Sequence, residues 1–414
     1  MMGLTLAHHL AKKHHVTVYE QADQVGGLST WHDYGPFTWD KYYHVILRSD
    51  TSLLNLISEL KLEDKLFWKQ TKTGFLWNGS HHSFSTPWEF LQFPPLNLWQ
   101  KGRLGTGIIY NALIRNSEKI AHLTAKEWLT RISGKSVYTQ FWEPLLISKF
   151  GALKDQVPAP ILWSTLKRYF TTREKGQEMV GTLSDCGMKV LFDALIKGID
   201  HVHTNTNIDN LSVLPNNKIS ICENTYDAVI STLPRSILKK IYPAYETSYP
   251  HPTYLGVIRV ALLLKKPFSD CYITNLIDRC HPFTGIIDVT NLVPSSTLKQ
   301  HSLVMFPRYD IPTSPWFEKS DAEISSLFLE SIHTLIPDLS DQLVACFVHR
   351  EKRVQALWID TPPPAIEPFR VSQAPIWSLN NEMIGQETLN NNSVINLATQ
   401  GAKWIDSQLT SQLT

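Results

Sequence analysis

The sequence predicts an α/β protein that opens with a Rossmann-like unit, with an α+β portion in the helix and strand patterns further along. Three observations predict it: an apolar helical stripe beginning at Gly3, a short β-branched strand ending at Glu20, and the glycine pair Gly26–Gly27. That order is the latter half of a βαβ unit.

The helix comes first. Leu6, Ala7, Leu10 and Ala11 fall on one apolar stripe, and His14 and His15 break it. Val16-Thr17-Val18-Tyr19 reads as a strand with Glu20 at its end. A dinucleotide site needs a glycine turn for close approach to a pyrophosphate and a helix N-terminus for its charge. It also needs an acid about 20 positions on for the ribose hydroxyls. Gly3 and Glu20 have suitable spacing for the last glycine and the acid.

Val18-Tyr19-Glu20 followed by Val25-Gly26-Gly27 resembles the start of the FAD-dependent amine oxidase, phytoene desaturase and protoporphyrinogen oxidase superfamily. The resemblance implies an FAD-binding domain of the glutathione-reductase type. It assigns the adenosine ribose to Glu20 and the FAD diphosphate to Gly3, Gly26, Gly27 and Leu28. An arginine often follows the glycine pair in that family, whereas Leu28, Ser29 and Thr30 stand here. Gly35 to Asp40 and then His44 look like the stretch beside the flavin ring. His44 is the candidate catalytic residue, because imidazole titrates near neutrality.

The family begins with a buried strand and two further glycines, and Met1 and Met2 stand where that motif is expected. Such a strand is worth on the order of 10 kcal/mol from about five buried apolar side chains. The expectation is therefore a Rossmann-like domain without its first strand, in a natural protein that starts upstream.

The resemblance implies a noncontiguous FAD domain from residues 1–60, 181–235 and 371–414. Residues 61–180, mainly helical, and 236–370, sheet-containing, would form the substrate domain. Leu53–Leu60 reads as a helix, and Phe75–Phe84 as a hairpin turning at Asn78-Gly79. Pro87 to Tyr169 is helical in pattern and rich in tryptophan, an aromatic stripe expected in the core. A helix is expected across Leu183–Leu195, a strand over His201–Ile208, a hairpin at Lys218–Cys222 and a buried strand from Tyr226 to Pro234. Ile208 holds the place where the family pairs backbone with adenine, with Asn207 or Asp209 as alternatives in register. Val257–Leu264 and Leu303–Phe306 read as strands, Asp321–Ile336 as a helix and Pro362–Pro364 as a loop. The chain closes on a helix from about Ser393 to Gln408. Asn391 and Asn392 at its start are expected to meet the cofactor, and Met383 to line its cavity.

Lys plus Arg number 39 and Asp plus Glu 38, so no global charge draws the chain to nucleic acid. Five cysteines without C-x-x-C spacing argue against zinc and a disulfide framework, and no metal site is expected. A reducing, cytoplasmic setting is favoured. No run is long enough to span a membrane. Pro87 to Ile114 offers a peripheral membrane contact as an alternative to burial. The implied reaction is hydride transfer from a small-molecule substrate, expected to be large and apolar, to flavin N5. The competing readings are a flavin-dependent sugar-nucleotide mutase and a non-catalytic scaffold. Substrate, electron acceptor and oligomeric state are not legible.

Overall fold

A computed structural model of the chain describes residues 1–170, 173–174, 177–246, 250–359, 370–371, 373–385 and 388–413. The loop expected at Pro362–Pro364 lies outside the described residues. The fold is mixed α/β.

The opening helix is Met2–Leu10, and it is buried on two sides. Met2, Leu6 and Leu10 share a core with Trp377, Leu379, Val394 and Leu397. Leu4 and Ala7 share another with Leu53, Leu191 and Ile395. The spacing of four residues in the first set puts it on one face. The terminal helix, Asn391–Leu413, packs along that face.

Two parallel strand pairs flank this helix layer. Thr17–Tyr19 pairs with His201–His203, and Val229–Ser231 pairs with Ile376–Ser378. Among the described residues no ladder joins the two pairs, so the parallel strands stand as two separate ribbons. Two strand extents are corrected. The strand expected to run to Ile208 stops at His203, where the chain turns through Asn205 at φ 52°. Tyr226 ends an antiparallel hairpin strand, Asn224–Tyr226, and does not begin the Val229–Ser231 strand.

A seven-stranded sheet forms the other half. Its order is Leu343–Leu357, Thr253–Leu264, Ser302–Asp310, Gly285–Asp288, Ile273–Leu276, Thr73–Trp77 and Ser80–Ser83. Thr73–Trp77 pairs in parallel with Ile273–Leu276, which ties two segments far apart along the chain into one sheet. The Asn78-Gly79 turn has φ 50° and 69°, the left-handed geometry that a two-residue hairpin demands.

Thr253–Leu264 is buried on both faces, which explains its continuous apolar run. Ile258, Val260 and Leu262 pack under Ile324, Phe328 and Ile332 of the helix Asp321–His333. Ala261 and Leu263 join Tyr34, Trp39 and Met305 on the opposite face. Further along that face, Val257 and Arg259 look onto a cleft.

The helical stretch includes Leu98–Leu113, Ala125–Ser133, Glu143–Phe150 and Ala159–Phe170. Its core holds Phe93, Leu104, Trp128, Phe141 and Trp142. The expectation that its tryptophans are core is corrected in part: Trp88 and Trp99 are 67% and 73% exposed.

Candidate functional site

The cleft occupies about 460 Å³ between the opening turn and the seven-stranded sheet. Glu20, Gly26, Thr232 and Asn391 stand at one end, and Arg259, Tyr272 and Tyr309 at the other.

Glu20 extends the parallel ladder beyond Tyr19. Its N–H donates to His203 O at 2.8 Å, and its carbonyl accepts from Thr206 N at 2.9 Å. It is thus fixed at the C-terminal end of the strand, where α/β sheets bind ligands. One carboxylate oxygen accepts from Ala22 N at 3.0 Å.

Gly26 has φ 116°, and a Cβ there would lie 3.0 Å from Thr30 Cα and 3.1 Å from the Phe192 ring. Conformation and space both require glycine. The chain then tightens into a single turn, Gly27–Ser29, with Leu28 on the cleft wall. Gly3 also lies on the wall, in the first turn of the opening helix.

Ser29 is buried and donates to Asn391 Oδ1 at 2.7 Å. Asn391 opens the terminal helix, while Asn390 Oδ1 caps it by accepting from Ser393 N at 3.0 Å. Asn391 Nδ2 is buried and has no partner among the described residues. An unpaired buried donor costs about 1–3 kcal/mol, so a ligand acceptor beside it would be stabilising.

His44 is held by its neighbours. Nδ1 lies 3.1 Å from Tyr42 O and 3.7 Å from Asp40 Oδ2. A carbonyl can only accept, so Nδ1 carries a proton toward Tyr42 O and the ring is held with Nε2 toward the cleft side. Nε2 lies 3.5 Å from Ser29 Oγ. Burial pushes the Asp40 carboxyl up, and Asp40 Oδ1 accepts from Met188 N at 2.7 Å.

Three expected cofactor residues do not reach the cleft wall. Ile208 packs against Leu211, Ile219 and Ile376, because the chain has already left the strand. Met383 packs against Trp377 and Leu397 from the single turn Asn381–Ile384, and Asn381 stands on the wall instead. Asn392 faces the neighbouring helix Thr51–Glu59. Its Oδ1 accepts from Ser52 N at 2.8 Å and Leu53 N at 3.1 Å, capping that helix.

Sequence reasoning missed Ser29, Lys149 and Arg259. The signal for Arg259 was a lone cation inside an apolar strand, which is costly unless it has work to do. Among the described residues His8, His9 and Glu59 also bring ligand-type atoms within 4.8 Å of one another. They lie away from the cleft, and Glu59 already pairs with Lys12 and His8.

The sequence profile of the flavin containing amine oxidoreductases matches residues 1–353. The chain belongs to this family. It is 22% identical over 380 residues to 15-cis-phytoene desaturase of Synechococcus elongatus, covering 81% of this chain and 78% of that one. Among solved structures it resembles an Exiguobacterium sp. 255-15 protein named for protoporphyrinogen oxidase, with TM-score 0.76, 14% identity and coverage of 98% and 97%. Reduced UDP-galactopyranose mutase has TM-score 0.70 at 15% identity, covering 99% of this chain and 92% of that one. Putrescine oxidase bound to putrescine has TM-score 0.69 at 15% identity, covering 98% and 97%. At these identities the structures speak for the fold.

As a member of this flavoprotein family the chain takes FAD as its cofactor. The residues present fit that group. A glycine turn that leaves no room for a side chain, an acid at a strand end and an orphaned amide donor at a helix N-terminus all border one cleft.

Proposed function

We propose that this flavoprotein is an FAD-dependent oxidoreductase that oxidises a small molecule held between the Gly26–Gly27 turn and the seven-stranded sheet. The observation that carries the reading is the convergence of Glu20, Thr232 and Asn391 on one cleft. They come from the three segments 1–60, 181–235 and 371–414, which form the cofactor domain in this reading, with 61–180 and 236–370 as the substrate domain.

Bound FAD supplies a two-electron acceptor for hydride from the substrate. The chain's own residues bind and orient. Glu20 accepts from ribose hydroxyls, and the turn at Gly26, Gly27 and Leu28 offers backbone N–H groups to phosphate. Asn391 Nδ2 donates from the start of the terminal helix, whose dipole favours negative charge. His44 takes a proton at Nε2 from the reacting molecule while Tyr42 O holds its other nitrogen. The Tyr43 and Tyr309 hydroxyls are hydrogen-bonded to each other on the wall, where their rings help exclude water.

The test is anaerobic mixing of the FAD-loaded protein with a panel of reduced candidate substrates. Loss of the flavin band near about 450 nm supports oxidation. Absence of bleaching by every candidate, with conversion of UDP-galactopyranose only by the dithionite-reduced protein, favours the mutase reading instead.

A second reading concerns the surface. Leu98, Trp99, Ile109, Tyr110 and Leu113 are all exposed and share one face of the helix Leu98–Leu113, with Trp88 and Leu91 exposed beside it. Lys101 is buried and its Nζ donates to Leu91 O at 2.6 Å, while Arg103 is exposed beside that face with its Nε donating to Ser133 O at 3.0 Å. Among the described residues no helix is long and apolar enough to cross a membrane. A tryptophan- and tyrosine-bearing apolar face of this kind suits the interface of a bilayer. Flotation with phosphatidylcholine–phosphatidylglycerol vesicles tests it. Binding lost in Trp99→Glu and Ile109→Glu supports it; a dimer broken by the same changes, with no flotation of the wild type, overturns it.

A further inference from the structure

We infer that the cleft takes a substrate bearing an oxyanion, a carboxylate or phosphate, which Arg259 binds. The inference names the substrate class of the proposed site and rests on that reading of the cleft.

Arg259 is 0% exposed and sits in an apolar row between Val257 and Ala261 on the same strand face. Its Nη1 donates to Tyr34 OH at 3.0 Å, and its Nη2 to His349 Nδ1 at 2.8 Å. Both partners are neutral. Burial first, and then the charge of Arg259, push His349 down to about 2, so its ring stays unprotonated and accepts. Burial raises Tyr34, and its phenol keeps its proton. His32, also beside Arg259, is lowered by burial and then by that same charge. No carboxylate among the described residues forms an ion pair with Arg259, and its Nε has no partner. The Tyr42 ring lies 5.9 Å from the guanidinium carbon.

A buried guanidinium without a counter-ion is expensive. An alanine or leucine would fill this row more cheaply, as at Ala261 and Leu263. The strand keeps arginine where its face meets the cleft. Its planar, always-charged fork is the group best suited to an oxyanion.

Lys149 points the same way. It lines the cleft from the helix Glu143–Phe150 and has no hydrogen-bond or ion-pair partner among the described residues. Burial first, then the charge of Arg168, lower it to about 8, so it remains largely protonated at neutral pH. Arg168 itself is paired with Asp50 at 2.8 Å. Of the acids on the wall, Glu178 accepts from Thr73 Oγ1 at 3.0 Å, and Glu20 lies at the opposite, turn end. Arg259 and Lys149 thus bring two cations without an ion-pair partner among the described residues to a wall that also carries Tyr42, Tyr43, Tyr272 and Tyr309. An aromatic or amphipathic acid complements it, and a cationic amine does not.

The experiment is calorimetric titration of the full-length holoprotein with phenylacetate, phenyl phosphate and 2-phenylethylamine. At least one anion is expected to bind about tenfold or more tighter than the amine. The tighter of the two anions identifies carboxylate or phosphate as the group. Arg259→Met is expected to weaken that anion about tenfold or more with flavin content unchanged, and Arg259→Lys to weaken it less. Anion affinity unchanged in Arg259→Met overturns the inference. So does a wild type that prefers the amine, a result that decides the matter even where Arg259→Met does not fold. A colourless protein that still binds anions through Arg259 keeps this inference and removes the flavin reading; a flavoprotein indifferent to anions does the reverse.

Discussion

The Ser29 hydroxyl donates to Asn391 Oδ1 at 2.7 Å, and this bond leaves the buried Asn391 Nδ2 without a partner on the wall of the cleft. One contact thereby joins the glycine turn near the start of the chain to the helix at its end. It also costs the free protein an unsatisfied donor that a cofactor oxygen can satisfy. Asn391→Ala should leave the stability of the FAD-free protein within about 1 kcal/mol of wild type and raise the FAD dissociation constant roughly tenfold. Fluorescence titration of the stripped protein measures the second; equal FAD affinity in wild type and variant contradicts the assignment.

Gly26 and Gly27 predict opposite outcomes for the same change. An alanine at 26 meets backbone at 3.0 Å and an aromatic ring at 3.1 Å, at φ 116°. Gly26→Ala should cost about 2–4 kcal/mol, combining strain and overpacking, and weaken FAD binding. Gly27 has φ 58° with nothing within 4 Å of a new Cβ. Gly27→Ala should cost only about 1 kcal/mol. Urea unfolding of both variants separates them, and equal destabilisation argues against this turn geometry.

His349 gives the protein an acid-side weakness. Its folded pKa is about 2, below the ordinary histidine value of 6.5. Between those values the unfolded chain holds a proton that the folded one does not, so stability rises with pH. The contribution is full above about pH 6.5 and is lost by roughly 1.4 kcal/mol per unit as pH falls below it. His349→Gln, whose side-chain oxygen can accept from Arg259, should remove one proton from that slope. Denaturant melts between about pH 4 and 8 read it; an unchanged slope shows that His349 is not the group responsible.

Arg235 and Glu382 form a buried pair, 4% and 1% exposed, that clamps the Asn381–Ile384 turn. Tyr254 OH donates to Glu382 Oε1 at 2.6 Å, and Trp358 Nε1 to Glu382 O at 3.0 Å. Burial first, and then the Glu382 carboxylate, raise the Tyr254 phenol, which keeps its proton. Glu382→Ala strands the guanidinium and should cost about 3–5 kcal/mol. Thermal unfolding checks it, and a loss below about 1 kcal/mol would show the pair to be replaceable.

Much of the site was legible where it depends on local chemistry. Gly26 and Gly27 announce a turn, Glu20 a strand end, and the asparagines a helix start, because each signal lies within a few residues. Ile208 failed because strand length is set by partners far along the chain, and His203 is the last paired residue. Asn392 failed because a side chain one position from Asn391 on a helix faces about 100° away and reaches a different helix. Arg259 was visible as an interruption of a strand, but its meaning required knowing that this part of the sheet faces the cleft. The seven-stranded sheet unites residues 73–83 with 253–357, a pairing no local pattern encodes. The aromatic helical stretch was misjudged at Trp88 and Trp99, two of its five tryptophans, since Trp128 and Trp99 carry the same propensity and differ only in what covers them.

In the proposed cofactor site Glu20, the Gly26–Gly27 turn and Asn391 form the seat of FAD. The most direct measurement is the absorption spectrum of the purified full-length protein, followed by mass analysis of what heat releases from it. Bands at about 370 and 450 nm and one FAD released per chain are expected, with Asn391→Ala paler than wild type. A folded, colourless protein that does not take up added FAD contradicts it.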